Sequence, residues 1–95
     1  MFIVSLTYKK ELCEVEKLID AHIQFLEKYY AENIFIFSGR KNPRTGGVIL
    51  VRNIDKVILQ EIIKEDPFCQ NDIADYEITE VIPTKYDERF ACFIE

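Results

Sequence analysis

The chain has 95 residues, 48% of them hydrophobic, which suits one compact domain and is too short for two ordinary hydrophobic cores. Seventeen acidic residues against twelve basic ones give a net charge of −5, which opposes the long-range attraction to phosphate that nucleic-acid binding uses. We therefore expect no nucleic-acid partner.

The N-terminal segment MFIVSLTYKKE has a short apolar run, but no basic region precedes it and no small-residue cleavage site follows it. No later run approaches the ~20 apolar residues of a membrane span. The cysteines, Cys13, Cys69 and Cys92, lack the spacing of a disulfide framework or a zinc site. We expect a soluble, cytoplasmic protein with reduced thiols, no membrane partner and no bound metal.

The first half of the chain predicts a strand followed by a helix. The segment MFIVSLTY is rich in β-branched and aromatic residues, and its apolar residues occupy both odd and even positions. This pattern indicates a strand that is covered on both sides. From about Glu11 to Ala31 the apolar residues follow the i, i+3, i+4, i+7 spacing of one amphipathic helix. Its apolar stripe comprises Val15, Leu18, Ile19, His22, Leu26, Tyr29 and Tyr30.

The second half predicts a hairpin, a second helix and a fourth strand. NIFIFSG and GVILVR indicate strands, and the Asn-Pro and Gly-Gly signals around RKNPRTG indicate a long hairpin loop. Asn53 or Asp55 can cap a helix that reaches about Lys64, and EDPFCQND ends it. IADYEITEVIP predicts the last strand, with Tyr76, Ile78 and Ile82 on one face.

The element order βαββαβ predicts an α+β, ferredoxin-like fold, with a four-stranded antiparallel sheet and both helices on one face. We expect residues 1–85 to form the domain. The remaining residues, 86–95, form a tail too apolar to stay solvated, and we expect it to dock on its own or a partner subunit.

Both faces of the predicted sheet carry apolar side chains. Strict alternation places Ile3 on the face of the sheet opposite to Phe2 and Val4. In the second strand it places Phe35 and Phe37 on one face, and Ile34 and Ile36 on the other. Since two helices cover one face only, we expect a homodimer that packs sheet to sheet.

The only histidine of the chain, His22, lies near the middle of the first helix's apolar stripe. A buried imidazole needs hydrogen-bond partners, so His22 is either a satisfied structural residue or part of a site. Asp66, in EDPF, is open to two interpretations as well. It is a good N-cap before Pro67, yet a capping carboxylate can also face a neighbouring pocket.

The hairpin loop places Arg40, Lys41 and Arg44 close together in an otherwise acidic protein. These residues form either a solvated turn or a basic lip that attracts an anion, because arginine pairs bidentately with carboxylates. The adjacent glycines match no P-loop or dinucleotide fingerprint, so we expect no cofactor.

Several segments together resemble the YciI-like (YCII-related) family over about residues 1–85. They are the opening strand, AHIQFLEKYY, the FSG that ends the second strand, the Gly-Gly of the third, and DPF. The resemblance implies a dimeric α+β barrel whose site is built on His22 and Asp66. Ser38 and Gly39 match the family's small residues after the second strand. The RKNPR segment and the tail after Pro83 are not part of the family pattern.

One branch of that family resembles a dehydrochlorinase acting on a chlorinated hydroxymuconate. Our first hypothesis is therefore a cofactor-free lyase or isomerase that transfers a proton on a small organic acid. In this hypothesis His22 and Asp66 form the acid/base pair. Arg40 or Arg44 contacts the carboxylate of the substrate. The alternative is a non-catalytic module that binds a metabolite in the same pocket. Fold analogy alone adds a third hypothesis, a cofactor-free oxygenase or isomerase of the broader barrel superfamily.

Overall fold

The computed structural model describes residues 1–94 and shows the predicted α+β architecture. The strands form one antiparallel sheet in the order β2-β3-β1-β4, as in ferredoxin-like folds. The elements, in chain order, are β1 (Phe2–Tyr8), α1 (Leu12–Glu16), α2 (Ile19–Ala31), β2 (Phe35–Arg40), β3 (Gly46–Val51), α3 (Lys56–Ile63), α4 (Pro67–Gln70), β4 (Ala74–Glu80) and a C-terminal 3-10 helix (Glu88–Phe93).

The predicted single helix from Glu11 to Ala31 is wrong, because the structure divides it into α1 and α2. Leu18 leaves helical geometry, with φ −111° and ψ 4°, and its N–H bonds to the carbonyl of Val15 three residues back. This tight turn allows the fully buried Val15 and the apolar face of α2 to reach the core from different directions.

The second helix begins at one of the two caps that the sequence left open. Asp55 is the N-cap of α3, and its carboxylate accepts a hydrogen bond from the backbone N–H of Val57 at 2.8 Å. The helix ends at Ile63, one residue before the predicted limit.

An aromatic cluster fixes α2 on the sheet. The ring of Phe35 on β2 lies 5.7 Å from that of Phe25 and 5.5 Å from that of Tyr29, both buried on α2. Phe25 is absent from the predicted stripe, yet it is buried one turn after His22. The cluster therefore fixes the position of His22 relative to the sheet. This position is close to the residues that follow α3.

A β-bulge in β2 overturns the predicted alternation there. Phe35 pairs with Val51 but Phe37 pairs with Leu50, so the strand carries an extra residue, Ile36, at this point. Phe37 consequently projects from the face opposite to Phe35, instead of sharing it. The same shift turns Ser38 toward the helices, since it pairs with Ile49 on that face.

The face of the sheet away from the helices is apolar in part. Phe37 is 52% exposed and Ile3 is 37% exposed, and both lie on this face with Val48 and Leu50. On β4 the same face carries polar residues, namely Asp75, Glu77 and Thr79. The apolar patch is thus confined to β1, β3 and β2.

The C-terminal segment folds back on its own chain. Val81 N–H bonds to the carbonyl of Met1, after which the chain leaves the sheet, so Ile82 is 80% exposed and the prediction that it shares a strand face is wrong. The Arg52 guanidinium lies over the Phe93 ring, 5.2 Å from its centroid. The last residue of the predicted tail, Glu95, lies outside the described residues.

Gly46 is required where β3 approaches β1. A Cβ at this position would lie 1.8 Å from the carbonyl oxygen of Leu6, whereas a Cβ at Gly39 would meet nothing within 4 Å. We expect Gly46→Ala to lower the free energy of unfolding by about 1–3 kcal/mol or more, as overpacked backbone sites do.

The matched control is Gly39→Ala, which should leave the free energy of unfolding unchanged or raise it by up to about 1 kcal/mol. Urea denaturation of both variants checks the expectation. Equal stability of the two would contradict the close approach of β3 to β1.

Candidate functional site

Asp66 combines the two roles that the sequence left open. It is the N-cap of α4, and its Oδ1 accepts a hydrogen bond from the backbone N–H of Phe68 at 3.0 Å. Pro67 at the first helical position favours the extended backbone of Asp66, with φ −67° and ψ 124°. This local geometry turns the carboxylate inward, where its side chain is completely buried.

The buried carboxylate receives two further donors from distant elements. His22 Nδ1 lies 2.8 Å from Asp66 Oδ1, and the Tyr76 hydroxyl on β4 donates to Asp66 Oδ2 at 2.5 Å. Three groups from α2, α4 and β4 therefore converge on one carboxylate. A carboxylate surrounded by donors acts as an acceptor, so Nδ1 of His22 carries the proton of this bond and Nε2 is left for a ligand.

The imidazole of His22 is oriented by stacking as well as by hydrogen bonding. Its ring lies 4.1 Å from that of Phe68, and the two planes differ by 8°. The side chain is 12% exposed, compared with 0% for Asp66. His22 is thus the partly accessible member of the pair, and Asp66 lies behind it.

Burial is the main cause that raises the pKa of the Tyr76 hydroxyl far above its ordinary value, and the neighbouring Asp66 carboxylate adds to it. The phenol therefore keeps its proton and acts as a hydrogen-bond donor. Burial also raises the pKa of the Cys69 thiol, which disfavours the thiolate that a nucleophilic cysteine needs.

A cavity of about 300 Å³ lies between α2 and the hairpin end of the sheet, at the lower limit of the usual volume for small-molecule sites. His22 is in its wall. The apolar part of the wall comes from the sheet and helices, and includes Leu6, Ile19, Leu26, Ile49 and Phe68. The polar part consists of His22, Ser38, Arg40 and Arg44, and Tyr8 lies in the same wall.

The structure brings all of the sequence-predicted site residues to this region. Ser38, Gly39, Arg40 and Arg44 line the cavity with His22, and Asp66 contacts His22 from behind. Ser38 Oγ shares a hydrogen bond with the Tyr30 hydroxyl at 2.7 Å. The bulge in β2 causes this placement, because regular alternation would turn Ser38 to the other face.

Arg44 connects the hairpin loop with α1. Its Nη1 donates to Glu16 Oε1 at 3.2 Å, and its Nε is buried without a hydrogen-bond partner among the described residues. Lys41 is directed elsewhere, with its ammonium 3.3 Å from Thr7 Oγ1. The loop is therefore not a uniformly solvated turn, since Arg44 takes part in the cavity wall.

Sequence reasoning missed Tyr76 and Glu16 as neighbours of the site. Tyr29, a member of the predicted apolar stripe, is not in the cavity wall, and its hydroxyl donates to Glu65 Oε2 at 2.5 Å. Only the register of β4 against β1, which pairs Tyr76 with Leu6, places the Tyr76 hydroxyl beside Asp66.

Among residues 1–94, no three His, Cys, Asp or Glu side chains come together as metal ligands would. Within the same range, no helix has the length and apolar character needed to cross a membrane. The three cysteines are free thiols.

Comparison with known protein families identifies the family to which the chain belongs. The sequence profile of the YCII-related domain matches residues 1–82. The chain belongs to this family. A search of curated proteins finds no significant match.

Among solved structures, this YCII-related chain is similar to 5-chloro-2-hydroxyhydroquinone dehydrochlorinase from Burkholderia phenoliruptrix AC1100, determined in complex with 2,5-dihydroxybenzoquinone. The match has a TM-score of 0.73 and covers 85% of this chain and 92% of the other, at 14% sequence identity. At this identity the similarity establishes a shared fold.

The number of donors on Asp66 predicts a strong effect of neutralising it. We expect Asp66→Asn to lower the free energy of unfolding by about 1.5–3 kcal/mol, the usual contribution of hydrogen bonds to a charged group, because the amide group would confront Tyr76 or His22 with a second donor.

Asp55→Asn is the matched control, since Asp55 is also an N-cap but is exposed and accepts from Val57 alone in the described structure. Asparagine caps helices as well as aspartate does, so this change should stay within about 0.5 kcal/mol. Thermal unfolding measures both, and an equally small effect at Asp66 would argue against a converging set of donors.

Proposed function

We propose that this YCII-related protein is a small cofactor-free enzyme that transfers a proton, or eliminates a leaving group, on a small organic acid. The observation that carries the proposal is the 2.8 Å contact between His22, in the wall of a cavity, and the fully buried Asp66. Asp66 orients the imidazole and stabilises the imidazolium that forms when Nε2 accepts a proton.

The elimination can be written with His22 as the base. Nε2 of His22 takes a proton from carbon next to an activating carbonyl, and the electron pair released forms a carbon–carbon double bond. The leaving group, such as chloride, departs with its bonding electrons from the neighbouring carbon. An acid/base pair typically contributes about 10²–10⁴-fold, which suffices only for an already activated substrate.

Charge and size in the cavity support an anionic substrate of small volume. Arg40 and Arg44 lie in the wall with His22, and we assign to them the carboxylate or enolate oxygen of the substrate. Ser38 and Gly39 complete this side of the site. The solved relative's name, a dehydrochlorinase, agrees in reaction type.

We also propose that the protein is a cytoplasmic homodimer whose subunits pack through the open face of the sheet. The apolar patch around Ile3 and Phe37 supports this arrangement, because an exposed patch of this kind favours self-association. Three free thiols suit a reducing compartment.

The acid/base role predicts the effect of removing the imidazole. His22→Gln retains a side-chain donor for Asp66 but cannot exchange a proton, so kcat should fall by about 10²–10⁴-fold. Turnover is measured with a panel of small chlorinated or hydroxylated unsaturated acids, by chloride release and ultraviolet absorbance. The control is Gln24→Ala, an exposed position on the same helix, which should keep full turnover.

Full activity of His22→Gln on a substrate of the wild-type protein would contradict the assignment. Saturable binding of such acids to the wild-type protein without any turnover would favour the alternative, a metabolite-binding module.

The dimer predicts that a charge on the open face weakens association. Phe37→Asp would place an unpaired carboxylate in the interface, so the dimer dissociation constant should rise at least about tenfold, or 1.4 kcal/mol. Val57→Asp, at an apolar residue 64% exposed on α3, is the matched control and should leave it unchanged. Sedimentation equilibrium measures both, and a wild-type monomer at all concentrations would refute the homodimer.

A further inference from the structure

We propose that Tyr76 is a positioning residue of this site, which acts through Asp66 to keep the His22 proton on Nδ1 and so leaves Nε2 as the base. This inference rests on the proposed function for its catalytic meaning. Its structural content, the tautomer of His22, can be tested without any substrate.

The two oxygens of the Asp66 carboxylate accept hydrogen bonds from different donors. Oδ1 of Asp66 receives His22 Nδ1 at 2.8 Å and the Phe68 N–H at 3.0 Å, while Oδ2 receives the Tyr76 hydroxyl at 2.5 Å. The carboxyl group can rotate about its Cβ–Cγ bond. A donor on Oδ2, from a strand on the far side of the group, opposes that rotation and keeps Oδ1 directed at His22.

The directions of the hydrogen bonds on Asp66 indicate which nitrogen of His22 carries the proton. A backbone N–H only donates, and the buried phenol of Tyr76 holds its proton, so two of the three neighbours of Asp66 are fixed donors. The carboxylate accepts from both. An imidazole nitrogen 2.8 Å from an acceptor oxygen must then be the protonated one.

Tyr76 has no direct access to a ligand in the cavity. It does not line the cavity, within the part of the chain that the structure describes, and its hydroxyl is directed at Asp66. Without that hydroxyl, the buried Oδ2 would lack its donor, and the carboxyl group would be held through Oδ1 alone and could turn more easily. His22 would then populate the tautomer with the proton on Nε2, which cannot accept a proton from a ligand.

The experiment uses the fact that the chain has a single histidine. Labelling histidine with ¹⁵N in the ring gives the two nitrogen signals of His22 alone, and long-range ¹H–¹⁵N correlation identifies which nitrogen carries the proton. We expect the wild-type protein to show Nδ1 protonated and Nε2 bare. In Tyr76→Phe the two ¹⁵N shifts should move toward each other, because both tautomers become populated.

Tyr29→Phe is the matched control. The Tyr29 hydroxyl also donates at 2.5 Å to a carboxylate, that of Glu65, next to Asp66 in sequence. Both variants lose one phenol hydroxyl and one hydrogen bond of the same kind, and circular dichroism confirms that they fold. Only Tyr76→Phe should change the His22 ring spectrum. An unchanged spectrum in Tyr76→Phe would overturn the proposal and leave Tyr76 a structural residue.

A kinetic measurement adds a second readout on any substrate that the wild-type protein converts. Since Tyr76 does not contact the cavity, Tyr76→Phe should lower kcat by roughly 10–100-fold, as loss of an outer partner does for metal-bound histidines, with KM within about threefold. A change in KM alone would overturn the positioning role.

The two proposals fail in different ways. If the wild-type protein converts no substrate but Tyr76→Phe alters the His22 tautomer, the enzyme assignment fails and the role of Tyr76 stands. Should Tyr76→Phe not fold, the wild-type spectrum decides, because a bare Nδ1 in the wild-type protein would overturn the proposal.

Discussion

The site depends on one buried carboxylate that has to be stabilised by hydrogen bonds. An ionised group at zero exposure is costly unless donors surround it, and Asp66 meets donors from α2, α4 and β4. These three elements are distant in sequence, so the carboxylate also connects the helical layer to the edge of the sheet. Tertiary structure and site chemistry thus rely on the same atoms.

A second connection holds α2 against the segment that carries Asp66. Glu65 receives the Tyr29 hydroxyl at 2.5 Å and the Lys28 ammonium at 2.8 Å, one residue before the site carboxylate. These contacts lie on the solvent side, whereas His22 and Asp66 meet toward the cavity. The pair is therefore supported from two sides. Rigid support of this kind suits the proton transfer that we propose for this site.

Much of the fold follows from local sequence signals, and the departures have physical causes that act over long range. Capping residues predicted where helices begin, with Asp55 as one of two candidates and Asp66 before Pro67. The lone His22 together with DPF predicted a pair that the structure brings within hydrogen-bond distance. The division at Leu18 depends on how Val15 packs, which no local pattern reveals. Tyr76 and Glu16 escaped notice because strand register and loop position bring them near Asp66 and Arg44.

Because β2 contains an extra residue, two adjacent side chains of this strand lie in different surroundings. Phe37 and Ser38 are neighbours in the chain, yet one lies on the face proposed to meet another subunit and the other lines the cavity. If β2 kept all its residues but paired in regular alternation from Phe35 onward, the two would exchange faces, placing a ring in the cavity and a hydroxyl outside. One local irregularity of the backbone therefore sets both the lining of the cavity and the apolar surface proposed to meet another subunit.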